Sequence, residues 1–378
     1  MELPNGEETD TRDWASLPGD LLVSVASRFT SLADFFAFRR VCTSWRSNVI
    51  PSAHTLSSQS PLIMLHVQNR LLHYHDDEVT DSMSDEDVEY LDRPSFDVVF
   101  LDFLHQRFYK SEPGSSWRSF NLLNFSHGYL AVALGSGHIQ LRHFFTNDKI
   151  WLPKTREPFS YVKNIIFSGN PSSPGCLFGL YSYNEHTIEL YQQGESTWKE
   201  LTLGDRILVM DMVFFERKAY ALITTRYCFD FYQLAVIEFT PNLTFKLLGE
   251  TTKFDERPFL FSYEDELLLS YPRTIFRWDF RGNRWVPKSS FDGWAIFLSK
   301  NQLTACINPN PGSWVKPNYR YYYDVSHYAL MECPAVHDGS YGSIKYVENY
   351  VKKYGGSDCK SWFIGRPVWI FPSVCFSN

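Results

Sequence analysis

The stretch Trp14–Pro51, WASLPGDLLVSVASRFTSLADFFAFRRVCTSWRSNVIP, contains three short helical patterns close together. It is rich in apolar side chains and holds no evident catalytic group. A segment of this size cannot bury so much apolar surface by itself. We therefore expect it to be a docking module, which favours an adaptor protein over an enzyme.

The first two helical patterns have recognisable starts. Pro18 suits a first helical turn, because its missing N–H has no partner there. Asp20 then adds a carboxylate near the positive end of the helix dipole. Ser31, with Asp34 three residues later, is similar to a capping box. The apolar residues that follow each start recur at helical spacing, which predicts two amphipathic helices.

The third pattern is a short helix that carries Trp45. Thr43 or Ser44 can cap its start, and Pro51 ends it and disfavours helix at Ile50. On the spacing alone, the whole stretch could also be an ordinary three-helix start to a larger fold. The particular residues favour a more specific interpretation.

The stretch closely resembles the F-box. The matching features are Leu17-Pro18, Asp20-Leu21-Leu22, Arg40-Val41-Cys42 and Trp45-Arg46, while Phe29 stands where leucine is commoner. F-boxes bind Skp-type adaptors, which link them to a cullin–RING ubiquitin ligase. An interface of buried aromatic and leucine anchors suits such helices. The resemblance implies adaptor contacts at seven residues: Leu17, Pro18, Leu21, Leu22, Val41, Cys42 and Trp45.

Length and composition limit the rest of the chain. Its 378 residues leave room for one further large domain. The aromatic content of 17% favours β structure with an extensive core. The net charge of −7 gives no general footprint for nucleic acid.

The sequence also bears on the compartment. Residues 1–12 are polar and acidic, lack the blocks of a signal peptide, and are predicted to be a disordered tail. No apolar run approaches the length of a membrane helix. The seven cysteines are scattered without a CxxC pair, which suits free thiols in a reducing compartment. We expect a location in the cytoplasm, the nucleus or both.

After the helices, the chain alternates short aromatic and β-branched runs with turn residues. Trp117, Trp198 and Trp285 recur beside polar turns at spacings of 81 and 87 residues. These spacings are about twice a propeller blade of roughly 40–45 residues. The pattern predicts a β-propeller, and a pair of β-sandwiches is the alternative.

A second resemblance supports the propeller. The chain from about residue 60 is similar to the C-terminal domain of plant F-box proteins of the KIB type. Four segments carry the similarity: Ser126–Leu134, Ile150–Pro153, Asp292–Leu298 with Asn318–Asp324 downstream of it, and Arg366–Ser373. One departure is that His143–Asn147 replaces an expected Asn-Pro turn, and the stretch Ile344–Ser361 is also irregular.

Other motifs carry weaker signals. The acidic run Asp76–Asp92 could bind basic partners, but a solvated flexible insertion is the favoured interpretation. His73 and His75 beside it lack a recognisable metal-ligand pattern. The glycines of Gly135–Gly137 are typical of a hairpin turn. No GxSxG or HExxH motif is present.

These observations predict a helical F-box over residues 13–52, followed by an all-β propeller of six or seven blades over residues 60–378. The propeller carries the flexible insertion at 76–92. The predicted function is a substrate-recognition subunit of a ubiquitin ligase, without a catalytic site or cofactor of its own. The F-box would hold the Skp-type adaptor, and the propeller would hold a protein substrate.

Two other functions remain open. One is a propeller-based enzyme that uses acids such as Asp211, Asp230 or Asp265 in a central cleft. The other is an interaction scaffold outside any ligase, in which the F-box serves assembly only. The sequence also predicts ring closure, with Leu62–Leu65 and Val368–Phe371 in the same or adjacent blades and Trp369 in the core.

Overall fold

The structure is a computed structural model, and it describes residues 13–56, 58–59, 61–68, 96–102, 107–110, 121–134, 137–156, 163–182, 186–239, 243–271, 274–299, 302–307, 315–324, 329–334, 342–344 and 368–372. Several predictions concern residues outside these ranges: the tail 1–12, the insertion 76–92 with His73 and His75, Trp117 and most of the Gly135–Gly137 turn.

The three predicted helices are confirmed. After a 3-10 turn at Trp14–Ser16 come α1 Gly19–Ala26, α2 Leu32–Arg39 and α3 Thr43–Asn48. Their caps differ from the prediction. Ser31 precedes α2, but its buried side chain makes no capping hydrogen bond. Cys42 caps α3 in place of Thr43 or Ser44, because its extended backbone lets Sγ accept from the N–H of Trp45.

The described residues beyond the helices form 25 strands. They are β1 Leu62–Gln68, β2 Phe96–Asp102, β3 Arg107–Lys110, β4 Asn121–Ser126, β5 Tyr129–Leu134, β6 His138–His143, β7 Lys149–Trp151, β8 Lys163–Phe167, β9 Leu177–Ser182, β10 Thr187–Gln192, β11 Lys199–Thr202, β12 Ile207–Phe215, β13 Lys218–Thr225, β14 Cys228–Glu238, β15 Thr244–Lys253, β16 Phe259–Tyr263, β17 Glu266–Tyr271, β18 Thr274–Asp279, β19 Arg284–Lys288, β20 Ala295–Ser299, β21 Gln302–Ile307, β22 Tyr319–Asp324, β23 Ala329–Pro334, β24 Gly342–Ile344 and β25 Val368–Ile370.

The strands form a propeller. Blade 1 has the strand order β25-β1-β2-β3, and blades 2 to 5 comprise β4–β7, β8–β11, β12–β15 and β16–β19. Each of these five blades is a four-stranded antiparallel sheet. The innermost strands contact one another in succession, from β4 through β8, β12, β16 and β21 to β25. This arrangement around a common axis excludes the β-sandwich alternative.

The sixth sheet departs from the regular blade. Its order is β21-β20-β22-β23-β24, and β20 pairs with β22 in parallel. After β21 the chain crosses to the other side of β20, where β22 pairs in the same direction as β20. The sequence predicted six or seven blades. The described chain instead has five regular blades and one irregular five-stranded sheet, because the repeat pattern does not reveal this reversal.

The tryptophan repeat marks equivalent positions in two of the blades. Trp198 lies directly before β11, the outer strand of blade 3, and Trp285 lies in β19, the outer strand of blade 5. Each ring contacts an aromatic residue on the neighbouring strand, Tyr191 at 5.4 Å and Trp278 at 4.9 Å between centroids. The spacing of these two tryptophans therefore spans two blades, as the sequence predicted.

The ring closes through β25, which confirms the predicted pairing of the two ends. In blade 1, Ile63 lies opposite Trp369, and Leu62 lies opposite Ile370. Trp369 is only 1% exposed. Its ring meets that of Phe297 at 4.9 Å, and Phe297 stacks on Tyr321 at 4.7 Å. The segment that ends the propeller is thus joined both to blade 1 and to the sixth sheet.

A chain truncated at Gly365 should therefore lose its cooperative fold. Without β25, the inner edge of β1 becomes unpaired, and the aromatic cluster around Phe297 loses Trp369. We expect aggregation or rapid proteolysis, measured by size-exclusion chromatography and limited trypsin digestion. A chain that ends at Pro372 keeps β25 and is the matched control. Equal solubility and cooperative melting of the two chains would contradict the closure.

Neighbouring blades are also linked by polar side chains at bulges, the half-buried Asn124 and the completely buried Asp211. The inner strand β4 is irregular before Asn124, and β12 is irregular before Asp211. Asn124 Oδ1 accepts a hydrogen bond from the N–H of Phe125 at 2.7 Å. Asp211 Oδ1 accepts from the N–H of Met212 at 2.9 Å. Each bulge thus turns a polar side chain back onto its own strand.

Each of these two side chains also reaches the inner strand of the next blade. Asn124 Nδ2 donates to the carbonyl of Ile165 in β8 at 2.6 Å. Asp211 Oδ2 accepts from the N–H of Leu260 in β16 at 2.7 Å. The hydroxyl of Tyr181, in blade 3, also donates to Asp211 at 3.0 Å. The neighbouring backbone group, a carbonyl or an N–H, therefore decides which side chain fits each bulge.

Exchanging these side chains should destabilise the propeller in both places. In Asp211→Asn, the new amide N–H₂ would face the N–H of Leu260. In Asn124→Asp, a carboxylate would face the carbonyl of Ile165. Each leaves polar groups unpaired, at a cost of about 1–3 kcal/mol in the free energy of unfolding by chemical denaturation for the completely buried Asp211 and toward the lower end for the half-buried Asn124. The exposed Asp265→Asn is the control, and tolerance of either exchange would contradict the assignment.

The Asp211→Asn variant should also change the pH dependence of stability. Burial raises the pKa of Asp211 to about 6, although Arg257 and three hydrogen bonds oppose this shift. Between about pH 4 and pH 6 the folded chain holds a proton that the unfolded chain releases, so stability falls as pH rises through this window. The variant has no carboxyl group at this position, so its stability should not fall in this way as pH rises. The difference in free energy of unfolding between wild type and variant should therefore be larger near pH 4 than at pH 7.

Candidate protein-interaction surface

The three helices share one continuous apolar core with the propeller. Leu22 of α1 and Phe35 of α2 are buried in the same cluster as Leu56 of the connecting segment. That cluster continues into Met64 of β1 and Ile370 of β25. The helices are therefore fastened to the closing blade of the propeller. They do not form a separately packed unit joined by a free linker.

An aromatic turn of blade 2 extends this attachment. Phe144 and Phe145 follow β6, where the chain departs from the expected Asn-Pro turn. The ring of Phe145 stacks on Phe36 of α2 with 6.4 Å between centroids and 26° between planes. The ring of Phe144 meets Phe100 of blade 1 at 5.4 Å and Phe125 of blade 2 at 6.4 Å. Because Phe144 and Phe145 also contact each other at 4.8 Å, these five rings connect helix α2 with two blades.

The segment between helix and propeller is held by polar contacts as well. Gln59 is buried, and its Nε2 donates to the carbonyl of Phe29, just after α1, at 2.6 Å. Thr55 is also buried, and its hydroxyl donates to the carbonyl of Ile50 at 2.8 Å. Both bonds satisfy carbonyls beyond helix ends, which would otherwise lack partners. The chain therefore passes from helix to blade without a flexible joint in these residues.

An arginine joins α2 to α3 on the partly exposed side. The guanidinium of Arg39 lies 5.9 Å from the centroid of Phe36. Its Nη2 donates to the carbonyl of Arg46 at 3.5 Å. Burial lowers the pKa of Arg39, and the nearby positive charge of Arg46 lowers it further. The stacked arginine extends the aromatic contacts toward α3.

The opposite side of the helices leaves large apolar side chains in solvent. Five of them, each between 47% and 63% exposed, lie within this short part of the chain: Trp14, Leu21, Val25, Val41 and Ile50. Single exposed apolar residues are normal, but a concentration of them marks an interaction site. The helical unit therefore has one side built into the propeller and one side available to a partner. We call the available side the exposed helical surface, defined by these five residues.

The predicted adaptor contacts fall into three groups. Pro18, Leu21 and Val41 are exposed, whereas Leu17, Cys42 and Trp45 are half-buried. Leu22 is only 1% exposed, so in this structure its side chain supports the surface from within and does not form it. Helical spacing could not distinguish these positions, because Leu22 is buried in a cluster that includes propeller residues distant in sequence, such as Met64 and Ile370.

Trp45 has a mainly internal environment. Its ring lies 4.4 Å from that of Phe38, and its indole N–H donates to the carbonyl of Trp14 at 2.9 Å. It thus ties α3 to α2 and to the 3-10 turn. Sequence reasoning did not select Trp14, Val25 or Ile50 as contacts. The signal for Val25 was present, since it lies one helical turn after Leu21.

The three acids considered for an enzyme lie in different environments. Asp211 is completely buried in β12, where it links blades. Asp230 is exposed in β14 near its start, and Asp265 is exposed in the turn between β16 and β17. Asp230 lies near the turn between the second and third strands of blade 4, whereas Asp265 lies in the turn between the first and second strands of blade 5. These two turns are at opposite ends of an antiparallel blade. The fold does not bring these carboxylates together in one cleft.

Other kinds of site have no counterpart in the part of the chain that the structure describes. There, no group of three or more His, Cys, Asp or Glu side chains could hold a metal ion. None of the described helices is long and apolar enough to cross a membrane. Cys42, Cys176 and Cys228 are free thiols, and burial raises the pKa of Cys176.

The fold and its surfaces define a β-propeller protein with an attached helical unit. The chain belongs to the KIB1-4 beta-propeller family, which matches residues 100–346, more than half of its length. Among curated proteins, none matches the chain significantly.

A Bacteroides fragilis protein named as a 6-phosphogluconolactonase is a distant structural match. Its identity to the chain is 14%, with a TM-score of 0.31. The match covers 51% of this chain and 63% of that one, so the chain spans less than two thirds of the solved structure. At this level of similarity the match supports no transfer of function.

The stacked ring of Phe145 gives a direct test of how the helices are attached. Phe145→Ala should remove about 2 kcal/mol of packing at a half-buried site and loosen α1 to α3 more than the blades. Hydrogen exchange measured by mass spectrometry should show faster exchange of peptides from residues 19–48. Phe280→Ala, which removes a ring stacked on Phe215 at 5.9 Å in another part of the propeller, is the control. Unchanged exchange of the helices would contradict this attachment.

Proposed function

We propose that residues 13–52 form an F-box that binds a Skp-type adaptor, and that the chain is a plant-type substrate-recognition subunit of an SCF cullin–RING ubiquitin ligase. The propeller, as a KIB1-4 domain, is compatible with binding a protein substrate. The chain itself would carry out no chemistry and would need no cofactor. Such a subunit would act in the cytoplasm, the nucleus or both.

The observation that carries this proposal is the exposed helical surface. Leu21 is 53% exposed and Val41 is 60% exposed, although each lies on a unit whose other side is deeply buried. Both residues belong to the segments that match the F-box, and both were assigned as adaptor contacts by that resemblance. Apolar side chains of this kind are typical anchors of an interface between helices. A protein partner would remove them from water.

The attachment of the helices supports a positioning mechanism. The core shared by Leu22, Met64 and Ile370 fixes the direction in which the helices face relative to the propeller. An adaptor bound to the helices would therefore hold the propeller, and its substrate, at a defined place beside the ubiquitin-loaded enzyme. Proximity of this kind raises the effective concentration of the acceptor lysine.

A non-ligase scaffold is one rival function with a distinct experimental signature. It would bind the adaptor through the same surface but would not recruit a cullin. Reconstitution of the chain with purified adaptor and cullin, followed by gel filtration, separates the two functions. Co-elution of all three proteins supports the ligase proposal, and loss of the cullin from the complex supports the scaffold.

The double variant Leu21→Glu/Val41→Glu should lose adaptor binding while keeping its fold. Two charges would replace apolar anchors, each of which can be worth about 2 kcal/mol, so affinity should fall by at least about a hundredfold. Biolayer interferometry with purified Skp-type adaptor measures the effect. The melting temperature should change little, because both side chains lie in solvent.

Phe280→Glu is the matched control for this test, since Phe280 is an aromatic residue 49% exposed on blade 5. It should leave adaptor affinity unchanged. Wild-type binding by the double variant would overturn the assignment of the exposed helical surface. No detectable adaptor binding by the wild-type chain would overturn the F-box proposal as a whole.

A further inference from the structure

The tip of blade 4 carries a second group of exposed aromatic side chains. Tyr227 is 78% exposed, Phe229 is 57% exposed and Phe231 is 43% exposed. They occupy alternate positions at the turn from β13 to β14. Aromatic rings exposed to this extent are costly in water and are enriched at the centres of protein interfaces. These residues are not needed for the packing of the blade itself.

The tip is held in place by hydrogen bonds beneath it. The buried hydroxyl of Thr224 lies 2.8 Å from the carbonyl oxygens of both Cys228 and Phe231. The N–H of Phe254 donates to the carbonyl of Asp230 at 2.8 Å. The register between β13 and β14 shifts here, which leaves extra residues on β14 in the projecting segment. Because the segment is ordered in advance, a partner would lose less free energy in binding it.

Two arginines lie beside the rings. The N–H of Arg226 donates to the carbonyl of Arg206 at 3.1 Å, so their backbones are adjacent. Both residues are exposed, and among the described residues neither guanidinium has an ion-pair partner. Asp205, next in sequence, lies 3.9 Å from His186 instead. Asp230 is the one acid within the projecting segment and opposes their charge.

This tip lies on the face of the propeller away from the helices. The helices meet blade 2 at Phe125 and Phe144, beside the turns that follow its first and third strands. The tip follows the second strand of blade 4. In an antiparallel blade, the turn after the second strand lies at the opposite end from the other two turns. Since the inner strands contact one another in one continuous ring, the same end of each blade lies on the same face.

We propose that Arg206, Arg226, Tyr227, Phe229 and Phe231, here named the distal aromatic tip, bind an acidic segment of a protein partner that also carries apolar anchors. The rings would receive the anchors, and the two guanidinium groups would pair with carboxylates. This inference rests on the proposed function, because the segment would belong to the substrate of the ligase.

The test uses the full chain and a displayed library of random twelve-residue peptides. Selection should enrich peptides that combine Asp or Glu with Leu, Ile or Phe. A selected peptide, labelled and measured by fluorescence anisotropy, should lose at least about tenfold in affinity with Tyr227→Ser or Phe229→Ser. Arg226→Glu should weaken peptide binding, and this effect should become larger as the salt concentration is lowered. Asp230→Asn should strengthen peptide binding.

Phe280→Ser is again the control, because it removes an exposed ring from a different turn. The proposal would be overturned if this variant weakened peptide binding as much as the tip variants do. It would also be overturned if selection enriched basic peptides, or if the selected peptides bound the tip variants as tightly as the wild type. Tighter binding of a labelled single-stranded oligonucleotide than of any peptide would also overturn it. Thermal melting checks that Tyr227→Ser and Phe229→Ser remain folded.

The two proposals can fail separately. Peptide binding is measured on the chain without any adaptor, and adaptor binding is measured without any peptide. Loss of the first with retention of the second removes the distal aromatic tip but leaves the F-box proposal in place. The reverse outcome leaves a propeller that binds an acidic segment outside a ubiquitin ligase.

Discussion

The short pairing between β25 and β1 is the interaction on which the rest of the molecule depends. It closes the ring, since it supplies the inner strand of blade 1 from the far end of the chain. The same two strands contribute Leu62, Met64 and Ile370 to the core that holds the helices. One pairing thus fixes both the ring and the direction of the attached helical unit. Loss of β25 would therefore weaken both the closure of the ring and the attachment of the helices.

Polar contacts of buried and half-buried side chains supplement this apolar closure. Asn124 and Asp211 connect successive inner strands, and each is matched to the backbone group that its neighbour presents. In the sixth sheet, the Asn318 side chain accepts from the N–H groups of Phe291 and Gly293 at 2.9 and 3.1 Å. That contact holds the segments around Asp292 and Asn318 next to each other in the fold. A propeller has few contacts between blades that are distant around the ring, so such local links decide how well neighbouring blades are aligned.

The two candidate surfaces differ in how far the sequence revealed them. The F-box resemblance selected Leu21 and Val41 of the exposed helical surface but not Trp14, Val25 or Ile50, and it also selected Leu22, which is buried. The distal aromatic tip was not predicted, because Tyr227, Phe229 and Phe231 have the alternating pattern of an ordinary buried strand. In the sequence, Phe144 and Phe145 were noted only because their segment differs from the Asn-Pro turn expected in the family. The structure gives it a physical role, since these rings join helix α2 to blades 1 and 2.

The sequence by itself determined the helices, the repeated β pattern, the propeller and the pairing of its two ends. These depend on local spacing and on segments that are characteristic in their own right. Only the tertiary structure decided which apolar side chains are buried and which remain exposed, how the sixth sheet is connected, and that the helices share a core with blade 1. The reason is that each of these outcomes depends on residues far apart in the chain, such as Leu22 and Ile370, which belong to one core cluster that no local pattern records.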